Sequence, residues 1–278
     1  MREFAGRGAL ITGGASGIGL ALACAVAAKG MRVVLCDRDA KTLATAAAGL
    51  RDSGAAVAAL AVDVTDRDGW RAAVARVRAF GPLHLVCANA GVAPAGQTLS
   101  TMSPEAWDRI IDVNLTGVFN TVQATAPLLR EHGQGGHIVL TSSMAGMLAA
   151  SPIGDYVATK FGVSGLGEAL RAEMGPDGIG VSVVYPGVVA TPLVGNSRAT
   201  GMSPDAVAAR VLEAVEANEM FIFTHADYRP LVAARLDAIL ASFGTSAQPG
   251  FRESQAVLSM MASTAYPPGD GIGENGDG

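Results

Sequence analysis

Lysine, cysteine and aromatic residues are scarce in this chain of 278 residues. It contains 3 cysteines and 5% aromatic residues, and its net charge is −5. No run of lysine or arginine presents a surface to nucleic acid. No uninterrupted apolar stretch reaches the about 18 residues of a membrane span, and the N-terminal segment lacks the pattern of a secretory signal. We therefore expect a cytoplasmic protein that contacts neither membranes nor nucleic acid.

The few cysteines and histidines argue against a disulfide-linked protein and against a metalloprotein. Cys24, Cys36 and Cys87 are odd in number, widely spaced and embedded in apolar stretches. This pattern predicts buried free thiols in a reducing compartment. The four histidines have none of the spacings that are typical of metal ligands. We expect no metal site.

Short runs of β-branched and apolar residues alternate with longer helix-forming segments along most of the chain. Strands that are apolar on both faces and separated by crossover helices predict an α/β fold with a doubly wound parallel sheet. The predicted strands are 8–13, 31–37, 58–64, 83–90, 136–143, 180–187 and 220–225, and the predicted helices are 18–29, 40–52, 66–79, 104–131, 155–175, 204–217 and 227–243.

A single domain accounts for this alternation, because seven strands suffice for one sheet. We assign residues 1–243 to the catalytic domain and its last helix, and residues 244–278 to a C-terminal tail. The final segment, PPGDGIGENGDG, is rich in glycine, proline and acidic residues. That composition predicts disorder at the end of the tail.

A glycine-rich turn, TGGASGIG, follows the first predicted strand and opens a helix. Gly13 permits the tight turn, Gly17 lets backbone amides approach a pyrophosphate, and Gly19 allows close packing of helix on strand. Asp37 ends the second strand, where a carboxylate accepts hydrogen bonds from the adenosine ribose. Together they predict a dinucleotide site.

The residues around the ribose favour NAD over NADP. The carboxylate of Asp37 repels a 2′-phosphate, and Ser16 supplies no cation to offset that repulsion. Arg38 keeps NADP as the alternative, because a guanidinium group can bind a phosphate.

Tyr156 and Lys160 stand four residues apart in a predicted helix, so they share one face. Hydride transfer at an alcohol carbon needs a group that takes and returns the hydroxyl proton, and a nearby ammonium lowers the pKa of a tyrosine. Ser142 and Ser143 end a strand upstream and point to opposite faces of the sheet. Asn114 lies in a helical pattern, where it is either buried with a partner or simply faces solvent.

The order G-x-x-x-G-x-G resembles the short-chain dehydrogenase/reductase family. Further segments follow in the order of that family over residues 5–225: DVTD at 63–66, ANAG at 88–91, VNLTG at 113–117, TSS at 141–143, YVATK at 156–160 and YPGVVAT at 185–191. The resemblance implies a Rossmann-type domain with seven parallel strands, helices on both faces, and the activity of an NAD(P)-dependent alcohol dehydrogenase or ketoreductase.

The resemblance also implies the roles of individual residues. Tyr156 is the acid/base, Lys160 supports it and binds the ribose, Ser143 rather than Ser142 binds the substrate oxygen, and Asn114 anchors a proton relay. Asp63 and Val64 contact the adenine, and Asn89 braces the turn after the fourth strand. The predicted cofactor contacts are Gly13, Ser16, Gly17, Ile18, Gly19, Asp37, Arg38, Asp63, Val64, Asn89, Ala90, Gly91, Tyr156, Lys160, Pro186, Gly187, Val189 and Thr191.

The substrate is predicted less sharply than the chemistry. Residues 144–155, with Met144, Met147, Leu148 and Ile153, and the stretch 192–205 are expected to shape its site. Their apolar character favours a hydrophobic secondary alcohol or ketone. A cofactor-binding regulator without turnover is the alternative of another class.

Family members often form dimers or tetramers through the helices that correspond to 104–131 and 155–175. A homo-oligomer, with a homotetramer leading and a dimer as the alternative, is therefore implied. The chain departs from the usual family pattern after His225, where it lacks a glycine-rich close and continues to residue 278.

Overall fold

Seven parallel strands form one sheet in the order β3-β2-β1-β4-β5-β6-β7. The computed structural model describes residues 1, 3–193, 201–246 and 253–265. The strands are β1 (Gly8–Thr12), β2 (Arg32–Asp37), β3 (Val57–Ala61), β4 (Leu85–Ala88), β5 (Gly136–Thr141), β6 (Ile179–Tyr185) and β7 (Phe221–Phe223). The helices are α1 (Gly17–Ala28), α2 (Ala40–Asp52), α3 (Arg67–Phe80), α4 (Pro104–Ile111), α5 (Gly117–Glu131), α6 (Gly154–Met174), α7 (Pro204–Ala217), α8 (Arg229–Ser246) and α9 (Gln255–Ala265).

Helices cover both faces of the sheet, as the sequence predicts. Successive strand residues point to opposite faces, so Leu10 and Ile11 belong to different core clusters. The cluster around Ile11 includes residues of α1, α2 and α7, and the cluster around Leu10 includes residues of α3, α5 and α6. The strand order reverses between β1 and β4, which opens a crevice at their carboxyl ends.

The main differences from the predicted boundaries lie at strand ends and in one helix. β3 ends at Ala61 and β5 at Thr141, so the polar residues that follow leave the sheet at the crevice. The predicted helix 104–131 contains a π-helical turn, Asp112–Thr116, between α4 and α5.

The C-terminal region contains more helix than the sequence analysis assigned to it. α9 lies within the predicted tail, in a segment of good helix formers, QAVLSMMASTA. The glycine- and proline-rich end, 267–278, lies outside the described residues, and the domain boundary at residue 243 stays a prediction.

All three cysteines are free, but the prediction that all are buried is wrong for one. Cys36 and Cys87 are buried, and burial raises the pKa of each thiol to about 12. Cys24 is exposed, whereas its neighbours Leu22, Ala23 and Val26 on α1 are buried. In the alanine-rich sequence of α1, apolar periodicity does not distinguish the buried from the exposed face.

In the part of the chain that the structure describes, no helix is long and apolar enough to cross a membrane. The same residues contain no group of three or more His, Cys, Asp or Glu side chains placed to hold a metal ion.

Candidate active site

The turn between β1 and α1 has the backbone geometry that its glycines predict. Gly13 and Gly17 have φ values of 63° and 53°, a backbone conformation that residues other than glycine rarely adopt. At Gly19 a Cβ atom would lie 2.1 Å from the carbonyl oxygen of Gly13. The first turn of α1 therefore packs against the glycine turn only because residue 19 has no side chain.

Asp37 is fixed at the end of β2 beside this turn. Its Oδ2 accepts a hydrogen bond from the backbone N–H of Ala15 at 3.2 Å, and its Oδ1 accepts one from the N–H of Asp39, also at 3.2 Å. The carboxylate and the adjacent Arg38 both line the cavity at the crevice.

Asn89 ties together the ends of three strands. Its Nδ2 donates to the carbonyl oxygen of Thr12 at 3.1 Å, and its Oδ1 accepts from the hydroxyl of Thr141 at 3.2 Å. β1, β4 and β5 are thus held together where the crevice opens. The role predicted for Asn89 at the cofactor site stays a prediction.

Asn114 lies in the π-helical turn and is 0% exposed, so the solvent-facing alternative is wrong. Its Oδ1 accepts from the N–H of Val92 at 2.7 Å, and its Nδ2 donates to the carbonyl of Val92 at 3.0 Å. The side chain therefore fixes the loop after β4. Its role in a proton relay stays a prediction.

The two serines after β5 have different surroundings, as strand alternation predicts. Ser142 is buried and donates to the carbonyl of Lys160 at 2.8 Å. Ser143 is half-buried in the cavity, where its hydroxyl accepts from the N–H of Ala145 at 3.1 Å and donates to the carbonyl of Pro186 at 3.4 Å. The Ser143 side chain also acts on Tyr156, whose pKa it lowers. Ser143 is therefore the hydroxyl that lies beside the tyrosine.

Lys160 is 4% exposed, and its ammonium group donates to the carbonyl of Thr141 at 2.8 Å. Burial lowers the pKa of Lys160 from 10.5 to about 8. The sequence predicts that Lys160 lowers the pKa of Tyr156, but that pKa is raised. Burial raises the pKa of Tyr156 above 10.0, and the Ser143 side chain acts in the opposite direction.

One cavity of about 520 Å³ brings together all but two of the predicted site residues. Gly19 packs behind the glycine turn, and Asn114 lies behind Val92. Sequence reasoning missed several lining residues, among them Arg109 and Val113, which are four residues apart and follow the loop after β4. The remaining missed residues include Val62, Val92, Ala93 and Thr141, whereas Pro192 and Leu193 belong to the stretch predicted to shape the substrate site.

The segment predicted to shape the substrate site is only partly placed as expected. Met144 is buried in a small cluster with Tyr185, and Met147 and Leu148 pack against that cluster. None of these three residues lines the described part of the cavity, because they pack in a cluster with residues of β6 and β7. In the stretch 192–205, residues 194–200 lie outside the described part of the chain.

Known proteins are similar to this chain in both sequence and architecture. Residues 7–201 match the short chain dehydrogenase family. A 3-alpha-(or 20-beta)-hydroxysteroid dehydrogenase of Mycobacterium tuberculosis is 36% identical over 230 residues, which cover 80% of this chain and 83% of that protein. The cyclohexanol dehydrogenase of an Acinetobacter species is 37% identical over 193 residues, which cover 69% and 76%.

A solved structure of a short chain dehydrogenase/reductase is also similar to this chain. A short chain dehydrogenase/reductase from Burkholderia phymatum in complex with NAD is 30% identical and superimposes with a TM-score of 0.82, covering 91% of this chain and 100% of that one. The chain belongs to the short-chain dehydrogenase family and is an oxidoreductase of that family.

Proposed function

We propose that this enzyme uses NAD to interconvert a hydrophobic secondary alcohol and its ketone. The observation that carries the proposal is one continuous cavity that contains Asp37 after β2 and both Ser143 and Tyr156 on the other side of the crevice. A dinucleotide has its ribose and its reactive ring far apart, and the cavity offers matching groups for both.

The residues of the cavity fit a nicotinamide dinucleotide. At Gly17 a Cβ atom would lie 3.1 Å from the Thr191 side chain, so glycine keeps the passage for a pyrophosphate open. The carboxylate of Asp37 accepts hydrogen bonds from ribose hydroxyls. Residues of this cavity would hold NAD, and its nicotinamide would supply the acceptor of the hydride in alcohol oxidation and the donor in ketone reduction.

The side chains supply the proton chemistry. The Ser143 hydroxyl donates a hydrogen bond to the substrate oxygen, and Tyr156 takes the proton of an alcohol or returns it to a ketone. Burial raises the pKa of Tyr156 and so favours the protonated form that ketone reduction needs, whereas the Ser143 side chain lowers that pKa and so favours the anion needed for oxidation. Lys160 places a positive charge beside the ring, and Asn114 is proposed to anchor the relay to solvent.

Asp37 supports NAD as the preferred cofactor, and Arg38 supports an NADPH-dependent ketoreductase as the second candidate, because both residues line the cavity. The test compares kcat/KM for NAD and NADP in the wild type, Asp37→Ser and Arg38→Gln. Asp37→Ser should raise kcat/KM for NADP by about 10- to 100-fold, since it removes a carboxylate that repels the 2′-phosphate. Arg38→Gln should lower kcat/KM for NADP and leave kcat/KM for NAD unchanged. A wild type that prefers NADP would reverse the assignment.

Two observations support a neutral, hydrophobic substrate. Val92, Ala93, Val189 and Leu193 give the cavity apolar walls. The relatives described above are named for a hydroxysteroid and for cyclohexanol. The test follows NADH formation with alicyclic, aryl and acidic secondary alcohols. Turnover of the acidic alcohols alone would overturn the proposed substrate class.

We also propose that the enzyme is a cytoplasmic homo-oligomer, a tetramer or a dimer. Trp107 on α4 and Phe119 on α5 are 38% and 43% exposed, and large exposed apolar side chains favour association. Light scattering of the purified protein tests this proposal. A monomer at micromolar concentration would contradict it.

A further inference from the structure

Asp155 is a buried carboxylate immediately before Tyr156, at the start of α6. It is 0% exposed. Its Oδ1 accepts a hydrogen bond from the N–H of Tyr156 at 2.7 Å, and its Oδ2 accepts one from the N–H of Ala95 at 3.0 Å. Among the residues that the structure describes, none forms an ion pair with this carboxylate.

Capping of α6 alone does not account for a buried charge at this position. α2, α4 and α7 begin with the exposed capping residues Asp39, Ser103 and Ser203, whose side chains stay in water. Burying a carboxylate without a cation is costly unless hydrogen bonds and the positive end of a helix compensate. The bond from Ala95, which joins residues 60 positions apart, indicates a second role.

That second role concerns the loop after β4. Asn114 holds this loop at Val92, and Asp155 holds it at Ala95. Both side chains are 0% exposed, and the segment between their anchor points carries Val92 and Ala93, which line the cavity. Two buried polar side chains therefore fix one wall of the cavity.

The far side of this loop also packs on the start of α6. A Cβ atom at Gly154 would lie 2.7 Å from the Leu99 side chain, so the loop approaches the helix backbone closely. The distance between the wall and Tyr156 is therefore set by the first turn of α6, and Asp155 is the side chain that hydrogen-bonds both.

We propose that Asp155 is a positioning residue for the substrate. Its carboxylate fixes residues 92–95 relative to Tyr156, so that the apolar body of the substrate rests on Val92 and Ala93 while its oxygen meets the tyrosine. This inference rests on the proposed function. It adds a residue that determines how the alcohol is held.

The experiment compares Asp155→Ala and Asp155→Asn with wild type and with Asp66→Ala. Asp66 is the matched control, because its exposed carboxylate accepts a backbone N–H at the start of α3, away from the cavity. Asp155→Ala should raise KM for the best alcohol by about tenfold or more, and the increase in KM should exceed the decrease in kcat. NADH binding, measured by fluorescence, should stay near the wild-type affinity.

Asp155→Asn keeps one acceptor oxygen and should lie between wild type and Asp155→Ala. Hydrogen exchange gives a second readout, because the Ala95 amide loses its acceptor in Asp155→Ala and should exchange faster. An unchanged KM in Asp155→Ala, or an equal rise in Asp66→Ala, overturns the inference.

A failure of the proposed function can be distinguished from a failure of this inference. If the wild type oxidises none of the alcohols, the proposed substrate is wrong and exchange at Ala95 decides the anchoring role. Faster exchange in Asp155→Ala supports that role, and unchanged exchange overturns it.

Discussion

The ammonium nitrogen of Lys160 lies 5.3 Å from the centre of the Tyr156 ring and donates its hydrogen bond to the carbonyl of Thr141. The lysine nitrogen thus lies over the tyrosine ring and is held there by the end of β5. Because this site is buried, the charged form of Lys160 is itself disfavoured.

The buried Lys160 should make the stability of the protein depend on pH. Its folded pKa, about 8, lies below the value of 10.5 for an exposed lysine. Below pH 8 the ammonium is present in both states, and its burial destabilises the fold. Between pH 8 and 10.5 only the unfolded state binds the proton, so stability rises with pH.

Lys160→Met removes this titration while keeping a long apolar side chain. The stability of the wild type relative to this variant should increase by about 3 kcal/mol from pH 7.5 to 10.5. Denaturant unfolding of both proteins at several pH values measures the difference. A difference that stays constant over this range would contradict the burial of the charged group.

Tyr156→Phe removes the hydroxyl and retains the ring. We expect kcat to fall by about 10²- to 10⁴-fold, because the variant lacks the proposed acid/base. The affinity for NADH, measured by fluorescence, should change little. Near wild-type turnover in this variant would show that Tyr156 is not the acid/base.

Ser143 and Ser142 form a matched pair for mutation, because they are adjacent and differ in surroundings. Ser143→Ala should lower kcat/KM strongly, because the Ser143 hydroxyl is proposed to bind the substrate oxygen. Ser142→Ala should retain most of the turnover and lower stability by about 1 kcal/mol, because it removes a buried hydrogen bond to the Lys160 carbonyl. Kinetics and urea unfolding of both variants test the pair. The reverse pattern would assign the substrate oxygen to Ser142.

Gly19→Ala and Gly49→Ala compare two glycines within helices. A Cβ atom at residue 19 would overlap the Gly13 carbonyl, whereas one at residue 49 meets nothing within 4 Å. Gly19→Ala should weaken NAD binding and lower stability. Gly49→Ala should raise stability by about 0.5–1 kcal/mol, because alanine favours the helix. Thermal unfolding and NADH titration measure both effects, and equal effects at the two positions would contradict this packing.

Much of the architecture was predicted from the sequence, because strand and helix periodicities are local. The alternation of segments predicted the parallel sheet, and the glycine spacing before α1 predicted the turn that the structure contains. The spacing of Tyr156 and Lys160 predicted that they share a helix face, which the ring distance of 5.3 Å supports. The exposure of Cys24 was missed, because an alanine-rich helix has little contrast between its faces.

The sequence by itself determined the order of strands and helices, the backbone freedom of the glycine turn, and many of the side chains that line the crevice. Only the tertiary structure decided that Asn114 faces inward to bond Val92 and that Asp155 bonds the distant Ala95. It also decided that Lys160 is buried and that Met144 packs in the core. The physical reason is that periodicity reports which face of an element is buried, whereas hydrogen-bond partners, desolvation and pKa shifts depend on groups that only folding brings together.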